Sequence, residues 1–144
     1  MIKKLNWEGV RMDIDVREYQ ESGYKPVVDY MEWRVAVLNY CEELEIDQIS
    51  NMQKHMESDE VFVLLEGSCT LFSAGEGEDL GDIKSWKMEP LKIYNVKKGV
   101  WHTHTLAKNT SVLIVENRNT CDDNSPIIQL SDNKKKELKA TYVI

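Results

Sequence analysis

Glu60-Val61-Phe62-Val63-Leu64-Leu65-Glu66-Gly67 is the stretch on which the fold of this chain turns. Its β-branched and aromatic residues suit a pleated backbone, and Glu66-Gly67 supplies a turn signal that closes the run. It reads as the strongest strand in the chain. Cys69–Ser73 follows after a short gap, so the two are expected to form a hairpin.

Further strands lie on either side. Residues 33–40, Trp-Arg-Val-Ala-Val-Leu-Asn-Tyr, are again rich in β-branched and aromatic types, and residues 51–55 form a shorter extended piece. Beyond Ser73, an acidic loop carries Gly75, Gly77 and Gly81. It lacks the Lys-Ser/Thr of a phosphate loop, and its carboxylates would repel phosphate. Extended runs follow at 83–88, at 91–96 after Pro90, at 100–106 after Lys98-Gly99, and at 111–116 after Lys108-Asn109. Residues 1–30 read as an irregular lead-in broken by Ser22-Gly23 and Pro26, with one short extended piece near 12–16. Ser131 is placed to cap a short helix from 132 to about 140. Many short strands with turns between them predict an all-β fold, a single antiparallel β-barrel or jelly roll. One domain is expected over residues 1–144, with its barrel core at about 33–116.

Composition narrows the partners. Hydrophobic residues make up 42% of the 144, enough for one core, and the net charge is −7. Such a charge disfavours nucleic acid and anionic membrane surfaces. The one basic cluster, Lys134 to Lys136, runs straight into Glu137 and reads as a solvated turn. No apolar run approaches membrane-spanning length, and no apolar segment follows the charged start Met1-Ile2-Lys3-Lys4. Cys41, Cys69 and Cys121 have neither disulfide-framework nor zinc-site spacing. A cytoplasmic protein with reduced thiols is expected.

The chemistry-bearing residues are few. The chain holds three histidines, His55, His102 and His104. On a strand, Gln53 and His55 share one face, as do His102 and His104. Glu60 alternates with Phe62 and Leu64, so its carboxylate is aimed at the core side. There it needs a partner, because burying it alone is costly. Two imidazoles and a carboxylate converging on a divalent metal would supply one.

Gln53-x-His55-x4-Glu60-x6-Gly67 resembles the first cupin motif, Gly-x5-His-x-His-x3or4-Glu-x6-Gly, and Lys97-x-Gly99-x2-His102 resembles the second, Gly-x5-Pro-x-Gly-x2-His-x3-Asn. The resemblance spans roughly residues 35–116. Gln53 stands at the family's first histidine, Lys97 at its proline and Leu106 at its asparagine. What carries over is a metal set of His55, Glu60 and His102, with Gln53 as a weak neutral oxygen donor. His104 is no ligand in the family pattern; it is a substitute ligand or a pocket acid/base, and the catalytic role is assigned to it. The resemblance also implies a homodimer, with the lead-in and the Trp33 strand at the interface.

Arg34, in an otherwise apolar strand, has the planar fork that clamps a carboxylate, of a substrate or of the protein itself. Trp101 is a pocket-wall aromatic for substrate or a core residue. The expected cofactor is a divalent metal ion (Zn, Mn, Fe or Ni) and the expected partner a small molecule. A metal-dependent lyase or isomerase on an oxygen-rich metabolite comes first, ahead of a dioxygenase. The alternative is a barrel that binds or senses a small molecule without turnover, with or without metal.

Overall fold

The computed structural model describes residues 2–5 and 13–143. In chain order the strands are β1 (Ile2–Leu5), β2 (Val16–Tyr19), β3 (Gly23–Tyr30), β4 (Trp33–Asn39), β5 (Asn51–Gln53), β6 (Glu60–Glu66), β7 (Cys69–Ser73), β8 (Lys84–Lys87), β9 (Ile93–Val96), β10 (His102–Leu106), β11 (Ser111–Asn117) and β12 (Ile127–Gln129), followed by helix α1 (Asp132–Thr141). Two five-stranded antiparallel sheets, ordered β3-β4-β11-β6-β9 and β12-β5-β10-β7-β8, make a jelly-roll sandwich that does not close into a barrel. The Ser131 side chain caps α1 by accepting the Lys134 amide.

The lead-in is more regular than its sequence suggests. β1 pairs with β2, and β3 pairs along β4 as the edge of the first sheet. A register shift between Pro26 and Val28 accommodates the proline there. Of the extended piece expected near 12–16, Met12 lies outside the described residues, and the strand begins at Val16.

The expected hairpin of β6 with β7 does not form. β6 pairs with β11 and β9, whereas β7 pairs with β10 and β8 in the opposite sheet. The Glu66-Gly67 turn is a corner between sheets. Gly67 has φ +83°, and a Cβ there would lie 2.3 Å from Thr110 Oγ1, so glycine is required on both counts. Thr110 Oγ1 fills that space and accepts the Ser68 amide at 2.9 Å.

The sandwich interior is set by register. Across β6, β11 and β4 the inward rungs are Leu64–Val112–Leu38, then Phe62–Ile114–Ala36, then Glu60–Glu116–Arg34. The first two rungs are apolar and buried, and they pack on Cys69, Leu71 and Leu106 of the facing sheet. The third is charged. A second core lies outside the β5-β10-β7 sheet, where Met52, Phe72 and Trp101 meet Leu130 and Leu138. No helix in the described residues is long and apolar enough to cross a membrane.

Candidate functional site

The charged rung opens into a cavity of about 670 Å³ between the sheets. His55, Glu60 and His102 are all buried there, and one ligand atom from each lies within 4.8 Å of the others. Glu60 Oε1 is 3.0 Å from His102 Nε2, and Glu60 Oε2 is 3.4 Å from His55 Nε2.

The second-motif turn positions both histidines. Gly99, at φ +81°, donates its amide to the His55 carbonyl at 2.8 Å. The Lys98 amide donates to Asp59 Oδ1, beside Glu60, at 2.7 Å. One turn therefore holds both ends of the segment that carries His55 and Glu60.

Neighbouring groups also fix the tautomers. His102 Nδ1 lies 2.9 Å from the Val100 carbonyl, which can only accept, so Nδ1 carries the hydrogen. His55 Nδ1 lies 2.7 Å from Ser125 Oγ, whose own hydrogen goes to Asn124 Oδ1. Asn124 is oriented in turn by the Cys121 amide and the Asn119 carbonyl. Each ring thus presents Nε2 to the Glu60 carboxylate, the arrangement in which outer partners aim imidazoles at a metal. Ligand atoms of a tetrahedral site with bonds of about 2 Å lie about 3.3 Å apart, and the two Nε2–Oε distances fall on either side of that value. This donor set can hold a metal ion.

Gln53 stands beside His102 in register, and its amide nitrogen donates to the Ser125 carbonyl at 3.4 Å. His104 lines the same cavity, one step along β10, with its ring edge against Phe62. Its Nδ1 is buried and has no hydrogen-bond partner among the described residues. Burial lowers its pKa, against the opposing pull of the Glu60 charge.

Arg34 is the cavity cation, and its contacts are with the protein. Nε and Nη2 donate to Glu116 Oε1, Nη2 also to the Thr120 carbonyl, and Nη1 to the Arg118 carbonyl. Of the two places the sequence left open for Trp101, pocket wall or core, the structure shows the core: Trp101 is not among the residues lining the cavity. Neighbouring residues of an extended chain point to opposite faces, so the residue before inward His102 packs in the outer core. Its indole nitrogen donates to the Gly77 carbonyl, and Lys54 Nζ stands 4.4 Å from its ring centroid.

Two residues of the site escaped the sequence reading. Glu116 pairs in register with Glu60, and Tyr24 donates its hydroxyl to Glu116 Oε1 at 2.5 Å. Burial, then the hydrogen bond and charge of Glu60, push Glu116 up to about 7, although Tyr24 and Arg34 pull the other way. Burial would also raise Glu60, but hydrogen bonds from His102, His55 and Glu116 outweigh it and hold its carboxyl well below the ordinary range. Of this coupled pair, Glu116 therefore keeps its proton to higher pH than Glu60 does. His55 is raised: burial opposes its charge, but Glu60 outweighs burial.

Paired sheets, a histidine–glutamate–histidine cluster inside them and a glycine turn gripping that cluster define a cupin-type sandwich. No protein-family model matches the sequence, and no curated protein matches it. Solved structures do match. Pac13 of Streptomyces, a nucleoside dehydratase seen with uridine, superposes at a TM-score of 0.57 with 7% identity over 81% of this chain and 87% of that one. CapF, seen with an inhibitor, gives 0.53 with 11% identity over 78% of this chain but 34% of its own. A cupin-2 domain protein of Shewanella frigidimarina gives 0.48 at 20% identity over 70% of this chain and 85% of that one. The protein has the fold of a small cupin domain.

Proposed function

We propose that this protein is a metal-dependent enzyme of the lyase or isomerase kind, acting on a small oxygen-rich metabolite. The observation that carries this reading is the pair of imidazoles whose Nδ1 hydrogens are already committed and whose Nε2 atoms both face Glu60. His55, Glu60 and His102 would hold the ion, with the Gln53 amide oxygen as a weaker fourth donor. A set of two imidazoles and one carboxylate suits Zn, Mn, Fe or Ni. When bound, such an ion polarises a substrate oxygen as a Lewis acid.

The chain's own residues supply the rest. His104, whose pKa burial lowers, lines the cavity and takes or returns the proton. The contacts to His102 and His55 keep Glu60 ionised and facing the two rings, and Glu116 stands beside it in register. That Pac13, on the same fold, is a dehydratase supports a lyase reading over oxygen chemistry. A homodimer belongs to the same proposal: Tyr30, Met31 and Trp33 are exposed at the β3–β4 turn, and twofold pairing would cover them.

The second reading is a binding barrel without turnover. What favours it is that the Nε2–Oε contacts also suit two protonated rings neutralising Glu60. Elemental analysis of the purified protein separates the two. Stoichiometric metal that survives His104→Ala, with a rate lowered about 10²–10⁴-fold once a substrate is found, is the expected result. Wild type that takes up no metal under any supplementation overturns the first reading.

A further inference from the structure

The cavity that holds the histidine cluster has a charge pattern that selects among small molecules. Its charged lining residues are Arg34, Glu43, Glu60, Glu116 and Asp122. Four are carboxylates. The one cation donates to Glu116 and to the carbonyls of Thr120 and Arg118, so it is already neutralised within the wall. No lysine lines the cavity among the described residues. The short turn Asp122–Asn124 beside the mouth adds Asp122 and Asp123 to its negative charge.

These facts give the cavity two electrostatic zones. Exposed Glu43 and Asp122 make the mouth negative, which repels phosphate and carboxylate groups. The base, once His55, Glu60 and His102 hold a divalent ion, repels a cation. Between the zones lie polar residues that can bond to hydroxyls, among them Asn51, Gln53 and His104. Leu38, Leu44, Ile49 and Ile114 add an apolar strip suited to one face of a ring. The volume falls within the roughly 300–1,000 Å³ usual for small-molecule sites.

We infer that the ligand of this cavity is an uncharged, hydroxyl-rich ring compound, and that its phosphorylated and carboxylated counterparts are excluded. The inference rests on the reading that the cavity is the binding site, and it sharpens that reading to a substrate class. Selection works by placing unpaired like charge against the wrong ligand. A free phosphate entering here meets acidic side chains at the mouth, and in the metal-free cavity no lining cationic side chain among the described residues is left unpaired. A neutral polyol loses nothing to the mouth and brings oxygens to the base.

Matched pairs test this on the full-length protein, as purified and after loading with Zn²⁺. The probes are ribose and ribose phosphate, uridine and uridine monophosphate, and glucose and gluconate, measured by ligand-observed NMR and calorimetry. The expected result is binding by at least one neutral member, with its charged counterpart about 10-fold weaker or worse. The double variant Glu43→Gln/Asp122→Asn should shrink that gap several-fold. A charged member binding as tightly as its neutral partner overturns the inference. So does binding by no neutral member, or a gap that the double variant leaves unmoved. Metal content of the same samples scores the metal reading separately. Protein without metal that still prefers neutral members keeps the inference and loses the Lewis-acid site. Zinc-loaded protein that prefers the phosphates does the reverse.

Discussion

The two ends of the sandwich interior are built from the same three strands, yet they behave as different materials. At one end, Leu64–Val112–Leu38 and Phe62–Ile114–Ala36 bury hydrocarbon against Cys69, Leu71 and Leu106. One rung further, Glu60–Glu116–Arg34 puts two carboxylates and a guanidinium in the same inward positions. A single step of strand alternation, about 7 Å, separates them. The apolar rungs gain free energy from burial, while the charged rung must be held together by specific partners. The stable end thus anchors strands whose last inward residues would not associate alone.

Substitutions at the two ends should therefore fail in different ways. Glu60→Gln removes the charge at the centre of the cluster. Metal affinity should fall by more than the roughly 10–100-fold that loss of an outer partner costs, while cooperative unfolding survives. Competition with a chromophoric chelator measures the first and circular dichroism the second. Phe62→Ala, one rung away, should destabilise the fold by about 3–5 kcal/mol and leave metal per folded molecule unchanged. Loss of metal there without loss of stability would show that the two ends are not separable.

Ser125→Ala is a gentler cut. It removes the acceptor that fixes the His55 tautomer and should weaken metal affinity about 10–100-fold with stability near wild type.

The smallest effect expected is on pH dependence. Glu116 titrates near 7 in the fold, above its ordinary 4.5. The native state therefore holds its proton more tightly than the unfolded chain does. That contribution to stability is complete below about 4.5 and is lost as pH rises through about 7. Glu60 has the opposite sign: its contribution is present above its ordinary value and lost as pH falls through its depressed native one. In chelator-treated protein, stability should decline from about pH 5 to about pH 8, and Glu116→Gln should flatten the part of that decline below about pH 7. The raised His55 supplies the remainder. Denaturant midpoints across that range are the measurement, and an unchanged slope in Glu116→Gln would break the assignment of that decline to Glu116.

Much of this was legible in the sequence. The strands from Trp33 onward and the Ser131 cap follow from local residue signals, and the grouping of His55, Glu60 and His102 from the resemblance to the cupin motifs; such signals report residue type and spacing along the chain. They do not report which sheet a strand joins. The Glu66-Gly67 corner has the composition of a hairpin turn, and only its contact with Thr110 makes it a change of sheet. Glu116 did leave a signal: it alternates with Val112 and Ile114 just as Glu60 does with Phe62 and Leu64. Tyr24 left none, because the shift at Pro26 breaks the period of β3. For Trp101 the sequence left a pocket wall and a core position open, and the second core receives it on the outer face.

The repeated change of sheet has a kinetic consequence. β4 finds its partner in β11, far along the chain, and β6 lies between β11 and β9. Such non-local pairing must close long loops before any contact repays them, which places folding in the slow, millisecond-to-second class of β proteins. His55 and Glu60 share one short segment, but His102 comes from β10, far along the chain, and meets them only when those loops have closed. An ion that needs all three can lock the finished molecule, and so slow its unfolding, but it has nothing to grip while the chain is still assembling.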